Sequence, residues 1–160
     1  MQDLPAQIDL ICYDFDGVMT DNRVLTLEDG TEGVFVNRGD GLAISEFRKS
    51  GLPQIIISTE KNLVVSARAK KLKIPVLQGI SNKREALQTY ARESGYDLEN
   101  IVYVGNDIND LEVMKIVGYP VAPADAHPEI LKLACIVTGA LGGAGVIREI
   151  YDLYTNGECV

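Results

Sequence analysis

Residues 8–13 form a run that is apolar except for Asp9 and ends directly in Asp14 and Asp16. No other stretch constrains the fold as strongly. A short apolar run of this kind reads as a strand covered on both faces. A carboxylate is costly to bury unless a cation pairs with it, so two acids behind such a strand predict a cation site at its carboxyl end. Gly17 then lets the backbone leave sharply. A lone Asp in this position would as readily cap a turn, but three further polar clusters repeat the placement.

The rest of the chain alternates between strand and helix patterns. Residues 23–27 and 33–37 flank Glu28-Asp29-Gly30-Thr31, whose Asp-Gly pair signals a hairpin. A helix is predicted over 40–50, with Gly51 as its stop. A strand over 54–57 runs into Ser58-Thr59-Glu60, and a basic helix follows to about residue 73. A short strand at 76–77 precedes Asn82 and Glu85, which have capping-box spacing for a helix ending near Gly95. A fourth apolar strand, 101–104, ends in Gly105-Asn-Asp-Ile-Asn-Asp110 before a helix that stops at Gly118. Val121, Ile136 and Val137 mark further short strands, and 146–154 a closing amphipathic helix. Strands separated by helices imply an α/β fold: a Rossmann-like parallel sheet flanked by helices, with a small β-hairpin insertion at about 23–37.

The length of 160 residues suits one domain, expected to span 1–160. No apolar run is long enough to span a bilayer, and the N-terminus lacks the basic start and apolar stretch of a secretion signal, so a cytoplasmic protein without a membrane partner is expected. A formal charge of −8 disfavours nucleic acid. It does not exclude an anionic metabolite, because a metal and a few lysines can reverse the field inside one pocket. Cys12, Cys135 and Cys159 are odd in number and lack metal-ligand spacing; the first two lie in apolar runs as core thiols, and no disulfide framework is expected.

In parallel sheets, ligands bind outside the carboxyl ends of the strands, at a switch in strand order. The predicted elements bring Asp14 and Asp16, Ser58, Lys83, and Asn106, Asp107 and Asp110 to that edge. Carboxylates suit a divalent cation; a hydroxyl, an ammonium and helix N-termini suit phosphate oxygens. A phosphoryl group beside magnesium is the natural occupant. Asp14 is then placed to attack phosphorus, and Asp16 to exchange protons with the leaving oxygen and the attacking water.

Asp14-Phe-Asp16-Gly-Val, Ser58, Lys83 and Gly105-Asn-Asp-Ile-Asn-Asp110 together resemble the four ordered motifs of the haloacid-dehalogenase-like phosphatases. Asn37-Arg-Gly-Asp-Gly-Leu42, Ala124-Asp-Ala-His-Pro128 and Gly142-Gly-Ala-Gly-Val-Ile-Arg-Glu149 resemble the capless branch that dephosphorylates 2-keto-3-deoxy sugar acids, and the compact length leaves no room for a large cap. That branch includes octulosonate 8-phosphate and nonulosonate (sialic-acid-like) 9-phosphate phosphatases, and a similar domain is fused to acylneuraminate cytidylyltransferases. The resemblance implies that Asp14 is the nucleophile, Asp16 the acid/base, and Ser58, with Thr59 beside it, and Lys83 the phosphate holders. It also implies magnesium on Asp14, the Asp16 carbonyl and the fourth motif. Two positions depart from the pattern. Asn106 stands where the family carries Asp, leaving Asp107 and Asp110 as alternative ligands. Thr59-Glu60 stands where octulosonate phosphatases carry Gly-Arg.

Glu60 is expected to face the sugar hydroxyls, favouring a nonulosonate 9-phosphate over the octulosonate substrate; the simpler alternative is that it caps the next helix. Arg68 and Lys71 share a helix face and are candidates for the substrate carboxylate, across a subunit boundary if need be; as part of a charge run they equally suit a solvated face. His127 reads as a cap or loop residue, and the glycines at 142, 143 and 145 as a turn beside the site. Val24, Leu25, Leu27, Val34, Phe35 and Val36 offer more apolar surface than a projecting ribbon buries alone, and the resemblance implies a homotetramer assembled through this hairpin. A phosphoreceiver switch and a catalytically reduced assembly domain are the competing function classes.

Overall fold

A computed structural model of the chain describes residue 4 and residues 7–157. Six parallel strands form one sheet: β1 (Leu10–Tyr13), β4 (Gln54–Ile57), β5 (Val76–Leu77), β6 (Ile101–Val104), β7 (Tyr119–Ala122) and β8 (Ile136–Val137), in the order β5-β4-β1-β6-β7-β8. The chain builds outward from β1 on one side, then returns to build on the other. The topological switch therefore lies at β1, between β4 and β6, where a crevice opens beyond the carboxyl ends of the strands. The expected strands at 54–57, 76–77, 101–104 and 136–137 fall at those bounds.

Period-two alternation divides each strand between two cores. Ile11 and Tyr13 face α1 (Arg38–Lys49), α2 (Leu63–Leu72) and α6 (Val146–Gly157). Leu10 and Cys12 face α3 (Lys83–Ser94), α4 (Leu111–Met114) and α5 (Pro128–Leu133). Cys12 is buried in the second core, where burial pushes its thiol well up; Cys135 is partly buried, and Cys159 lies outside the described residues. No helix among the described residues is long and apolar enough to cross a membrane.

The helix ends follow local chemistry. Asn37 caps α1, accepting from the amides of Gly39 and Asp40. Asn62, not Glu60, caps α2 through the amide of Val64. Asn82 accepts from the Glu85 amide, while the Glu85 carboxylate receives the Asn82 side-chain amide rather than its main-chain N–H, so the box is only half formed. His127 caps α5 through Nδ1, as its place before Pro128 suggested.

The hairpin is shorter than its sequence implies. Only β2 (Leu25–Thr26) and β3 (Glu32–Gly33) form an antiparallel ladder, with a separate bridge from Thr20 to Val36. Val34 and Val36 pack against the first core, which leaves Val24, Leu25, Leu27 and Phe35 on the surface; Phe35 is 72% exposed. A two-stranded ribbon without a covered face cannot sustain longer pairing.

Candidate active site

β1 delivers Asp14 and β6 delivers Asn106 to the same edge, because the two strands pair in register up to Tyr13 and Val104. The main-chain amide of Asp14 donates to the Val104 carbonyl at 2.9 Å, which extends that pairing by one residue. Lys83 arrives from the opposite direction. It shares the α3 stripe of Lys83, Leu87 and Ala91, all buried at a spacing of four, so its stem packs inward and its ammonium emerges among the acids. Lys83 Nζ lies 2.7 Å from Asp14 Oδ1 and 2.7 Å from Asp110 Oδ1, and its side chain is 1% exposed.

Charge balance decides the protonation of this cluster. Desolvation works against the Lys83 ammonium, yet the charges of Asp14 and Asp110 outweigh it and hold its pKa above the ordinary value. Burial, with the Asp110 charge adding to it, pushes the Asp14 carboxyl up to about 8 against the opposing pull of Lys83. Two buried acids share one cation, so a second cation beside Asp14 would restore its charge.

Asp14 Oδ2, the Asp16 main-chain oxygen and the Asn106 amide provide a place for one. A terminal atom of the Asn106 amide lies 2.8 Å from the Asp16 carbonyl oxygen and 3.1 Å from Asp14 Oδ2. As nitrogen, it donates to both. As oxygen, it would complete a triangle of three oxygens, and its two distances are close to the edge of about 2.9 Å implied by octahedral magnesium with bonds near 2.0–2.1 Å. The set combines one carboxylate, one carbonyl and one amide; no cluster of three His, Cys, Asp or Glu side chains suited to a metal occurs among the described residues. Gly17 is required here. It sits at φ +82°, and a β-carbon on it would collide with the Asn106 side chain.

The remaining expected residues separate into two groups. Asp16 is half-buried at the mouth; burial, then the Glu60 charge, raises its carboxyl, and the Thr20 hydroxyl approaches its Oδ1 at 3.5 Å. Thr59, Glu60 and Asp107 line the same cavity, of about 290 Å³. Ser58 is buried just behind Thr59, with its hydroxyl accepting from the Glu60 amide. Asp110 does not line the cavity, contrary to its expected place among the metal ligands. Its Oδ1 accepts from Lys83 and the Tyr103 hydroxyl, and its Oδ2 from the main-chain amides of Asn106 and Asp107, so both oxygens are fully engaged. Arg68 and Lys71 are also absent from the cavity within one chain. Val64 and Val65 turn toward it, while Arg68 donates to the Asn37 carbonyl at 3.0 Å in a basic hollow with Lys71, Arg38 and Arg48 between α1 and α2.

Two residues that shape the cavity escaped the sequence. Glu32, from the hairpin, accepts from the Asn62 amide at 2.7 Å and so leans β3 over the site of its own chain. Its short strand and exposed position gave no periodic signal. Thr20, the other, is buried behind the cavity rather than on its wall; its hydroxyl accepts from the amides of Gly17 and Asn22 and shapes the loop after Asp16. A Thr four residues beyond an acid in a glycine-led turn is a signal that could have been used.

A carboxylate held by a buried lysine, a second carboxylate at the mouth and an oxygen triangle at a topological switch define a hydrolase that handles a phosphoryl group. Comparisons with known proteins give the family. A family model described as haloacid dehalogenase-like hydrolase matches residues 44–150. The 3-deoxy-D-manno-octulosonate 8-phosphate phosphatase KdsC of Escherichia coli is 38% identical over 147 residues, covering 91% of this chain and 78% of the relative. Among solved structures, one described as a haloacid-dehalogenase family hydrolase from Streptomyces avermitilis superimposes with a TM-score of 0.93 at 51% identity, over 97% of this chain and 90% of that one. The 3-deoxy-D-manno-octulosonate 8-phosphate phosphatase of Moraxella catarrhalis, solved with magnesium, phosphate and the sugar acid KDO, superimposes with a TM-score of 0.90 at 28% identity, over 93% and 86%. This chain belongs to the haloacid dehalogenase-like hydrolases, as a phosphatase of the compact, capless kind.

Proposed function

We propose that the chain is a magnesium-dependent phosphomonoesterase for a 2-keto-3-deoxy sugar acid phosphate, working through an aspartyl-phosphate on Asp14. The observation that carries this reading is the Asp14–Lys83 contact at 2.7 Å, beside the oxygen triangle of Asp14, Asp16 and Asn106. Those three residues would hold magnesium, which supplies positive charge to the phosphoryl oxygens. An Asp14 oxygen attacks phosphorus as the bond to the sugar oxygen breaks, and Asp16 gives that oxygen its proton. The raised carboxyl of Asp16 suits this donor role. Asp16 then takes a proton from the water that attacks phosphorus, and the Asp14–phosphorus bond breaks. Lys83 holds Asp14 in place throughout, with Ser58 and Thr59 on the phosphate side. Lys83, Asp14 and Asp16 together support an active enzyme over a reduced assembly domain.

For the substrate we infer a nonulosonate 9-phosphate. Glu60 and Glu32 both line the cavity beyond Asp16, as acceptors for a polyol chain, and the cap of α2 is Asn62, which leaves Glu60 free for that role. An octulosonate 8-phosphate is the second reading, supported by the names of the Escherichia coli and Moraxella catarrhalis relatives. Among the described residues, five acids line the cavity, Asp14, Asp16, Glu32, Glu60 and Asp107, and no Lys, Arg or His does. A sugar acid carries a second negative charge far from its phosphate. This supports a homotetramer in which Arg68 and Lys71 of one subunit serve the carboxylate bound by another, with the exposed hairpin residues at the contact. Phosphate release from a panel of sugar acid phosphates, with and without magnesium, tests the reading. Magnesium-dependent turnover of the nine-carbon substrate is expected, and no turnover of any member refutes the function.

A further inference from the structure

The two motif stretches that the chemistry leaves unused, at 124–128 and 142–149, meet behind the catalytic loop. Glu149, in the first turn of α6, accepts from two successive main-chain amides: Gly139 N donates to Oε1 at 2.7 Å and Ala140 N to Oε2 at 2.8 Å. The Glu149 amide in turn donates to the Gly145 carbonyl at 3.0 Å, so both ends of the bight 139–145 close on one residue. Asp125 Oδ1 accepts from Gly142 N at 2.9 Å, and Ala124 N donates to the Ala140 carbonyl at 3.1 Å.

The tip of this bight presses on the loop that follows Asp16. Gly143 N donates to the Val18 carbonyl at 3.0 Å. A β-carbon on Gly142 would collide with the Gly17 carbonyl, and one on Gly143 with the main chain of Thr20 and Asp21. Two glycines thus permit backbone to lie directly against backbone. From the same assembly, His127 N donates to the Asn106 carbonyl at 2.8 Å. One unit braces both segments that flank the phosphoryl pocket.

We propose that Glu149, with Asp125, is a positioning residue for phosphoryl transfer: their carboxylates hold the bight 139–145 as a wedge beneath residues 17–21 and so fix Asp16 relative to Asp14. The inference rests on the roles given to Asp14 and Asp16 above. Among the described residues, the only side chain that bonds the Asp16 carboxylate is Thr20, at 3.5 Å and so at the limit of a hydrogen bond, which leaves the loop backbone to set its place. Hydrogen bonds from amides to a carboxylate are among the stronger ones, which suits Glu149 as the clamp. An acid/base displaced by about 1 Å loses on the order of a hundredfold in rate. If Glu149 were an ordinary first-turn acid on α6, its loss would lower the melting midpoint and leave the chemistry alone.

The test measures kcat and KM for p-nitrophenyl phosphate at saturating magnesium, at a temperature where circular dichroism shows each variant folded. Glu149→Ala is expected to lower kcat about 30-fold or more through the water-attack step, where Asp16 is the base, with kcat/KM within about threefold of wild type because the leaving group of this ester needs no proton. Glu149→Gln, which keeps one acceptor oxygen, should fall between. Gly142→Ala leaves the clamp intact but pushes on Gly17, and should reproduce the kcat loss. A folded Glu149→Ala with kcat within about threefold of wild type overturns the proposal. Should Glu149→Ala not fold, Asp125→Ala at its exposed position decides instead: a loss of about fivefold in kcat, restored by Asp125→Asn, supports the wedge, and unchanged kcat overturns it. Asp14→Asn is measured alongside. Wild-type turnover there sinks the parent mechanism and the inference together, whereas an inactive Asp14→Asn beside an undiminished Glu149→Ala sinks the inference alone.

Discussion

Tyr103 donates its phenolic hydroxyl to Asp110 Oδ1 at 2.9 Å, with both residues wholly buried. The tyrosine anchors the acid that anchors Lys83, one step removed from the substrate. Asp110→Asn should therefore destabilise the fold by about 3 kcal/mol, by unbalancing a buried ion cluster. Tyr103→Phe should lose about 1–3 kcal/mol, through one unmet acceptor. Urea denaturation checks both, and magnesium half-saturation should stay as in wild type. A steep rise in that half-saturation for Asp110→Asn would instead identify Asp110 as a ligand.

Asp14→Asn should abolish turnover and keep the fold, since an amide is no nucleophile. Asp16→Asn should also lose turnover, yet accumulate phosphorylated Asp14 with an activated ester such as p-nitrophenyl phosphate, whose leaving group needs no proton. Mass spectrometry of the quenched variant detects the adduct. Full activity in either variant is incompatible with the assigned roles.

Asn106→Asp should tighten magnesium by about tenfold, because a charged oxygen replaces an amide at the triangle. Without metal, the same variant should melt below wild type. Its carboxylate then faces Asp14 Oδ2 and the Asp16 carbonyl, where the amide nitrogen donated to both. Isothermal titration and melting curves with and without magnesium separate the two effects, and unchanged affinity would remove Asn106 from the site.

Glu60→Arg should shift the ratio of specificity constants from the nine-carbon toward the eight-carbon sugar phosphate, by exchanging an acceptor for donors. Arg68→Ala and Lys71→Ala should raise KM for the sugar acid phosphate but not for p-nitrophenyl phosphate, which has no carboxylate. Sedimentation completes the test: a fully active monomer excludes the shared site.

Asp40 gives a pH signature unrelated to the reaction. Burial raises its carboxyl, against the pull of the Arg148 and Ile147 amides and the Arg68 charge. Between the ordinary carboxyl range and that raised value, the folded chain holds a proton that the unfolded chain has released. Stability therefore falls as pH rises through this window. Asp40→Asn still accepts from the Arg148 amide and cannot ionise, so its urea midpoint should lose this component of the pH dependence.

Strands at 54–57, 76–77, 101–104 and 136–137 were legible because each is an apolar run closed by a breaker, a local property. Asp14, Asp16 and Asn106 were legible for a related reason: a parallel sheet places whatever follows its strands at one edge. The partner of Asp110 was not. Its pairing with Lys83 depends on the face α3 turns to the sheet, and the sign was the lysine at the head of the 83, 87, 91 stripe. Arg68 and Lys71 were correctly read as neighbours, but cations at 68, 70, 71 and 73 ring the end of α2 and leave its orientation open. The hairpin was overextended because its apolar residues suggested strand, while its exposed face has no sheet to pair with.

The Asp14–Lys83–Asp110 cluster also ties the opening of the molecule to its chemistry. If α3 frayed from its first turn, two buried carboxylates would lose their shared counter-ion at once. Local escape of that turn is thus electrostatically costly, even though helix ends ordinarily fray. The amides around Lys83 should exchange with deuterium only when the whole domain unfolds, which makes the catalytic centre one of the last regions to open.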